Sequence, residues 1–523
     1  VSGTTVVLPA GTYSDDTQLR LAVCRSILGD GTFDVETFAK IELTVWPNYA
    51  LGAGRGTKAA ATNLAKRDVN WFSNFFDGGA GRTYLNAGGN GAAMRVQPHV
   101  WRKSPTKHQD YLTDVVKDSL ITHGHMRGIC GAVFHADCLA YVLENNSIPG
   151  PTQWREFISN FSEIPAVIHA NYQLERFWLA EWERIGGRSL NSAISEVIAE
   201  MSRYVEMFGE EGRLFDTSYD SIVETLGGFK EFQGTGTTTA LAAAFLSWAT
   251  QDRPIEESIL EAANLLGSDT DTIGTMVGAL RGAMADEEPS WQIQDREYIV
   301  EQALRLVAIS EGHVQKSFKY PDVIEWQPPA TQGDCVGLVD GRLALAGLGY
   351  LNDPGAEWSV GEYSWKWFKL DFGQTVLCKM RNTQEIPLTR GQIAHVSERK
   401  ETLSVGAKDL SRNEEPVPAV NISAMQQASG KSENSRDLFD DEFANNQFNP
   451  SRIRTQNNSS PSQVPGKKGL DELTDTVIRS NFDSKVLGDC FYECASEHDG
   501  IERSVAFAAI IAKAMVSRRK RKR

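Results

Sequence analysis

Cysteine is scarce in this chain: seven in 523 residues, an odd number. That excludes a disulfide-stapled scaffold. Cys24, Cys130 and Cys138 sit in apolar, helix-like runs, where a small buried thiol is the ordinary role. A reducing, cytoplasmic compartment is therefore expected. No run of 18 or more apolar residues occurs, so no membrane-spanning helix and no membrane partner are predicted. Positive charge is also in deficit: 53 Lys and Arg stand against 68 Asp and Glu, a formal net charge of −15. Nucleic acid is thus a poor expected partner, because affinity for phosphates comes mainly from Lys and Arg. The exception is the final run Arg518 to Arg523, RRKRKR, which suits a nucleic acid, an acidic partner or a targeting receptor, or is simply solvated. Internal repeats and a signal peptide are absent too. The opening VSGTTVVLPAG has no Met and reads as a fragment without its true start.

What is present is an ordinary globular composition, 41% hydrophobic and 23% charged. From Ser14 to about Ser310 the apolar spacing is helical. Leu190, Ile194, Val197, Ile198, Met201 and Val205 form a clear stripe at three- and four-residue intervals. The pattern changes after Pro321. Residues 335–396 hold short strand-like runs (CVGLV, RLALAG, WKWFKLDF, TVLCKM) between Gly, Asp and Asn turns. Residues 408–469 are rich in Ser, Asn, Gln and Pro, the composition of a flexible linker. The expected organisation is mainly α: a helical bundle over 1–320, a small β-rich or mixed domain over 330–400, the linker, and a helical segment over 470–523.

Two acidic motifs carry the chemistry. Ser14-Asp15-Asp16-Thr17 precedes QLRLAVCRSIL, and Gly267-Ser268-Asp269-Thr270-Asp271-Thr272 precedes IGTMVGALRGA. One carboxylate at a helix start is a common cap. A cap uses one or two oxygens, however, and adjacent carboxylates repel. Carboxylate and hydroxyl oxygens in this number suit a hard divalent cation, Mg²⁺, Mn²⁺ or Ca²⁺. Spacing alone cannot show that the two motifs meet. After the second motif, Gly274, Gly278 and Gly282 make a bare stripe, and close packing of another helix is expected there. Cys130, His135 and Cys138 do not share one helix face, so a helix core is the better reading than zinc. Cys490 and Cys494, four apart, do share a face, but a metal or redox pair is the lesser reading there too.

Taken together, these motifs resemble those of the ADP-ribosylglycohydrolase family. Between the acidic motifs lie further matches in family order: Gly54-Arg55-Gly56-Thr57, the segment NAGGNGAAMRVQ from Asn86 to Gln97, Leu120-Ile121-Thr122-His123, and YDSIVETL from Tyr219 to Leu226. The resemblance spans about residues 14–285. It implies an all-α bundle with two Mg²⁺ ions, or Mn²⁺, in a central cleft. Ser14, Asp15 and Asp16 would ligate from one side and Asp269, Asp271 and Thr272 from the other, with Asp16 and Asp271 in the catalytic role. Gly54, Arg55, Gly89, Asn90, Gly91, Ala92 and His123 would bind substrate. The implied reaction is hydrolysis of the glycosidic bond between ADP-ribose and a modified protein side chain, ADP-ribosyl-arginine first. One departure stands out. Family members carry an upstream helix with a Gly-Asp pair and, in some, a catalytic glutamate, and nothing before Ser14 matches it. The general acid/base is therefore open, and a module that binds ADP-ribose without turnover is the alternative.

Overall fold

The computed structural model describes residues 5–103, 111–208, 218–382, 386–394, 470–480, 482–496 and parts of 503–514. The expected linker and the basic run at the end lie outside the described residues. The chain divides into two compact units, residues 1–446 and 447–523.

The first unit is a bundle of helices followed by a sheet. The helices that position the site are α1 (Asp15–Ser26), α2 (Arg55–Leu64), α3 (Leu112–Thr122), α4 (Met126–Asn145), α5 (Leu190–Met207), α6 (Gly236–Ala249), α7 (Ile255–Asn264), α8 (Thr270–Gly282) and α9 (Arg296–Ser310). Helix α1 starts where Ser14 is extended and two carboxylates follow, which suits the positive end of the helix dipole. Leu19, Leu21, Ala22, Val23 and Cys24 are all buried, so α1 is enclosed on several sides rather than lying on the surface. The predicted stripe on α5 is the buried face. By length and composition α4 could cross a membrane, but most of it is buried in the bundle, and this packing accounts for its apolarity. Cys130, His135 and Cys138 are buried along it, as core residues are.

The glycine stripe on α8 is a correction. Among the described residues no helix presses onto its later part: a Cβ at Gly278 or Gly282 would meet nothing within 4 Å, while one at Gly274 would just touch the Ala262 methyl of α7 at 4.0 Å. The bare face is half open to solvent, and a glycine repeat marks absent side chains without saying what fills the space.

Six strands follow: β1 (Val336–Val339), β2 (Arg342–Leu345), β3 (Gly349–Asn352), β4 (Glu357–Val360), β5 (Tyr363–Leu370) and β6 (Thr375–Arg381). The order is β1-β2-β3-β5-β4, with β6 also on β5, and every pairing is antiparallel. The strand-like runs of the sequence are thus strands, in a larger sheet than a small appendage. Alternation splits β5 between two faces. Phe368 and Leu370 join the main core together with Leu19 of α1, while Trp365 and Trp367 form a second cluster with Leu377.

A buried polar node ties the sheet to α1. Arg25 makes a bidentate pair with Glu42 at 2.7 and 2.9 Å and donates to Gln374 at 2.6 Å and to the Tyr298 hydroxyl at 3.1 Å. Tyr320 donates to the same Glu42 carboxylate, and Phe372 lies under the guanidinium at 5.1 Å. A buried charge pair is tolerable only when further hydrogen bonds surround it, and here every Arg25 nitrogen and both Glu42 oxygens have a partner.

The second unit contains α10 (Leu470–Arg479) and α11 (Ser484–Ala495). Asp483 caps α11 by accepting from the N–H of Lys485 and Val486. Leu473, Val477, Cys490, Cys494, Phe507 and Ile511 make its own small core.

Candidate metal centre

The fold brings the two acidic motifs together at the starts of α1 and α8. Carboxylate oxygens of Asp15, Asp16 and Asp271 lie within 4.8 Å of one another. Asp15 and Asp16 are buried, Asp271 is exposed, and Asp269 is half-buried. Of the hydroxyls expected to accompany them, Ser14 donates to Asp16 at 3.1 Å, and Thr272 is buried in the first turn of α8. At 4.8 Å two carboxylate charges repel by about 3 kcal/mol at an effective dielectric of ~20. Arg20, one turn along α1, is the cation that eases Asp16.

The protons report this crowding. Burial, then the charges of Asp16 and Asp271, push Asp15 up to about 8. Burial and Asp271 push Asp16 up to about 6. Burial also raises Asp269, with the Asp271 carboxyl adding to it. A divalent cation fits this donor set for a further reason: Asp16 Oδ1 is buried with no hydrogen-bond partner. All the oxygens present are hard donors, so Mg²⁺ or Mn²⁺ suits them and zinc does not.

A sign follows for stability. Carboxyls with folded pKa values above 3.8 hold their protons longer in the folded chain than in the unfolded one. The folded state is therefore favoured at low pH, and that contribution is lost as pH rises from about 4 toward about 8. In EDTA the melting midpoint is expected to fall by several degrees between pH 5 and pH 8. Mg²⁺ or Mn²⁺ is expected to restore it at pH 8, where the ligands are ionised. Calorimetry at both pH values checks this, and a midpoint that rises with pH in EDTA would refute it.

The loop at Asn86 to Gln97 forms the second wall. Gly89 pairs with Thr235 in an isolated bridge, and the Gly236 N–H donates to Gly88 O at 3.0 Å. Within this loop, expected to bind substrate, the donors of Asn90 are engaged inside the protein. Its N–H is used on Gly234 O at 2.9 Å, and its side-chain amide donates to Asp269 at 2.6 Å and to Thr239 at 3.1 Å. Asn90 thus orients a carboxylate. Among the described residues no carbonyl accepts from the N–H of Gly91 or Ala92. Gly91 must be glycine, since a Cβ there would sit 2.8 Å from the Thr57 hydroxyl and 3.2 Å from the His123 ring.

His123 is buried at the end of α3, with Nδ1 2.7 Å from the Thr122 hydroxyl. Burial, then the charge of Arg95, hold it down to about 3, so it stays neutral and can offer a ligand a hydrogen bond but no charge. Gly54 and Arg55 are exposed at the start of α2.

Sequence reasoning missed the loop behind Asp15. The Asp15 N–H donates to Leu51 O at 2.7 Å. Gln18 holds the same loop, accepting from Leu51 N–H at 3.2 Å and donating to Tyr49 O at 3.2 Å. Gly52 has φ +94°, and a Cβ there would come within 2.3 Å of Asp15 Oδ1. The only trace in the sequence is Leu51-Gly52-Ala53-Gly54, two glycines beside a match already noted.

A family model described as ADP-ribosylglycohydrolase matches residues 2–314. ADP-ribosylhydrolase ARH3 of Xenopus tropicalis is 24% identical over 304 residues, covering 55% of this chain and 78% of its own. ADP-ribosylhydrolase ARH3 of Gallus gallus is 26% identical over 300 residues, covering 54% and 72%. An uncharacterized protein of Archaeoglobus fulgidus is 26% identical over 306 residues, covering 57% and 81%. A solved structure titled ADP-ribosylglycohydrolase-related protein complex is 21% identical, covers 58% of this chain and 83% of its own, and has a TM-score of 0.37.

Proposed function

The chain belongs to the ADP-ribosylglycohydrolase family and is a glycosidase acting on ADP-ribose; on that premise we propose that it releases ADP-ribose from a modified protein side chain, arginine first, with divalent cations held by the two acidic motifs. The observation that carries the reading is the convergence of Asp15, Asp16 and Asp271, with one buried Asp16 oxygen left without a partner. Ser14, Asp15 and Asp16 would hold the cations from one side and Asp269, Asp271 and Thr272 from the other. Two Mg²⁺ ions, or Mn²⁺, fit the count of oxygens. Bound there, they supply Lewis acidity toward the ribose hydroxyls and toward water.

The residues themselves do the rest. Asn90 fixes Asp269, and Ser14 fixes Asp16, so these carboxylates are oriented before substrate arrives. Cleavage at the anomeric carbon builds positive charge on the sugar, and Asp16 and Asp271 would stabilise it. The N–H groups of Gly91 and Ala92 would meet the diphosphate, with the neutral His123 beside them. Arg55, exposed at the start of α2, would contact the outer part of the substrate. The exposed Asp271 and the net charge of −15 favour a guanidinium-bearing target. The buried cysteines of the first unit, Cys24, Cys130, Cys138, Cys335 and Cys378, suit a reducing compartment, and we place the protein in the cytoplasm.

The test is release of free ADP-ribose from arginine-linked and serine-linked ADP-ribosyl proteins, in Mg²⁺ and in EDTA. Release from the arginine-linked protein, lost in EDTA, is the expected result. Release only from the serine linkage would correct the substrate. Binding of ADP-ribose without release from either would replace the enzyme reading by that of a binding module.

A further inference from the structure

The family match ends at residue 314, before the sheet begins. Yet the loop that backs Asp15 is held by the sheet. Asn48 ends the short turn of helix Trp46–Asn48 and is buried. Its side-chain amide donates to Gln332 O at 2.6 Å and to Lys379 O at 2.7 Å. Lys379 lies on β6, and Gln332 lies in the turn that leads into β1. Three residues on, Leu51 packs on the cluster of Trp365, Trp367 and Leu377. Its carbonyl accepts the Asp15 N–H, and Gly52 comes hard against the Asp15 carboxylate. Gln18 locks the same loop from the α1 side, with Trp46 donating to it at 3.3 Å. The loop 46–52 is therefore clamped, with α1 on one side and the sheet on the other.

We infer that the sheet is a working part of the metal centre, and that Asn48 is a positioning residue which sets the Asp15 carboxylate through Leu51 and Gly52. This rests on the reading of the acidic cluster as a divalent-cation site. Two donors on two carbonyls fix the height of the loop over the sheet, and Leu51 on the tryptophans fixes its tilt. Loss of Asn48 frees both carbonyls and lets the loop shift. Asp15 follows, because its N–H and its carboxylate both touch that loop. The centre is thus built from two parts of the chain, one inside the family match and one beyond it.

The experiment measures Mn²⁺ binding to the full chain by electron paramagnetic resonance titration, for wild type, Asn48→Ala and Asn74→Ala. Asn74 is the matched control. It is buried, and its amide also bonds two carbonyls, Ala60 O and Ile121 O, at 3.3 and 2.8 Å. Asn48→Ala is expected to weaken Mn²⁺ about tenfold or more, the loss typical when a support behind a ligand is removed. Asn74→Ala is expected to lower the melting midpoint and leave Mn²⁺ affinity unchanged. If Asn48→Ala does not fold, Asn48→Ser keeps one donor and carries the same comparison. Wild-type affinity in Asn48→Ala would overturn the inference and leave the proposed function standing. Equal weakening in Asn74→Ala would overturn it as well, by showing a general loosening. No Mn²⁺ binding by the wild type would sink both the inference and the metal reading beneath it.

Discussion

Joint replacement of Asp16→Asn and Asp271→Asn is expected to cut metal-dependent ADP-ribose release by about 10²–10³-fold or more, the loss ordinarily seen when a charge-stabilising group is removed from an active site. Two of the three carboxylates that lie within 4.8 Å of one another are then neutral. The same change should make the metal-free protein more stable at pH 8, because it removes the buried Asp16 charge and the Asp271 charge that repels Asp15 and Asp16. Activity and stability thus move in opposite directions, which separates loss of a site from loss of a fold. Chromatographic assay of released ADP-ribose, paired with melting curves in EDTA, checks both. A variant that stays within a few-fold of wild-type activity would show that the carboxylates do not carry the reaction. One that melts lower than wild type in EDTA at pH 8 would show that the crowding is not there.

The second large effect is expected from Arg95→Ala, through stability. Arg95 is wholly buried and donates to Asp118 Oδ1 at 2.8 Å, Asp118 O at 2.9 Å, the Thr122 hydroxyl at 2.9 Å and Gly91 O at 2.7 Å. His99 holds the other Asp118 oxygen at 3.0 Å. Truncation leaves a buried carboxylate short of its main partner, which costs roughly 3–5 kcal/mol. The Gly91 carbonyl loses its anchor as well, so the substrate KM should rise more than kcat falls. Urea unfolding and steady-state kinetics read the two effects. A loss under about 1 kcal/mol would mean that the site relaxes or admits water. Arg95→Met with Asp118→Leu should be milder than Arg95→Ala, since no charge is then stranded.

The carboxylates were legible because Asp15 beside Asp16, and Asp269 near Asp271, exceed what helix caps use. Their convergence was not, since it depends on how α1 and α8 cross, which no local spacing encodes. The motif around Asn90 was legible as a loop, and the role of its side chain was not: a backbone reading follows from glycine content, while the bond to Asp269 needs the partner's position. His123 was legible as a residue near the site, but its neutrality is a product of burial. The strands of the later third could be seen in alternation and turns. That one face of β5 would back the loop behind Asp15 was invisible, because Trp365, Trp367 and Leu51 are joined only through the tertiary fold. The stripe of Gly274, Gly278 and Gly282 misled for a related reason, since spacing shows which face is bare and leaves open whether protein or water covers it.

The node at Arg25 sets an order of events during synthesis. Its partner Glu42 is 17 residues away, but Gln374 is 349 residues away. At ribosomal rates of roughly 5–20 residues per second, Gln374 follows Arg25 by about 20–70 s. Throughout that interval Arg25 lacks its last hydrogen-bond partner, and the apolar surface that the sheet will cover stays wet. The bundle's native state is therefore sealed from its carboxyl-terminal side, once the turn that carries Gln374 has been made.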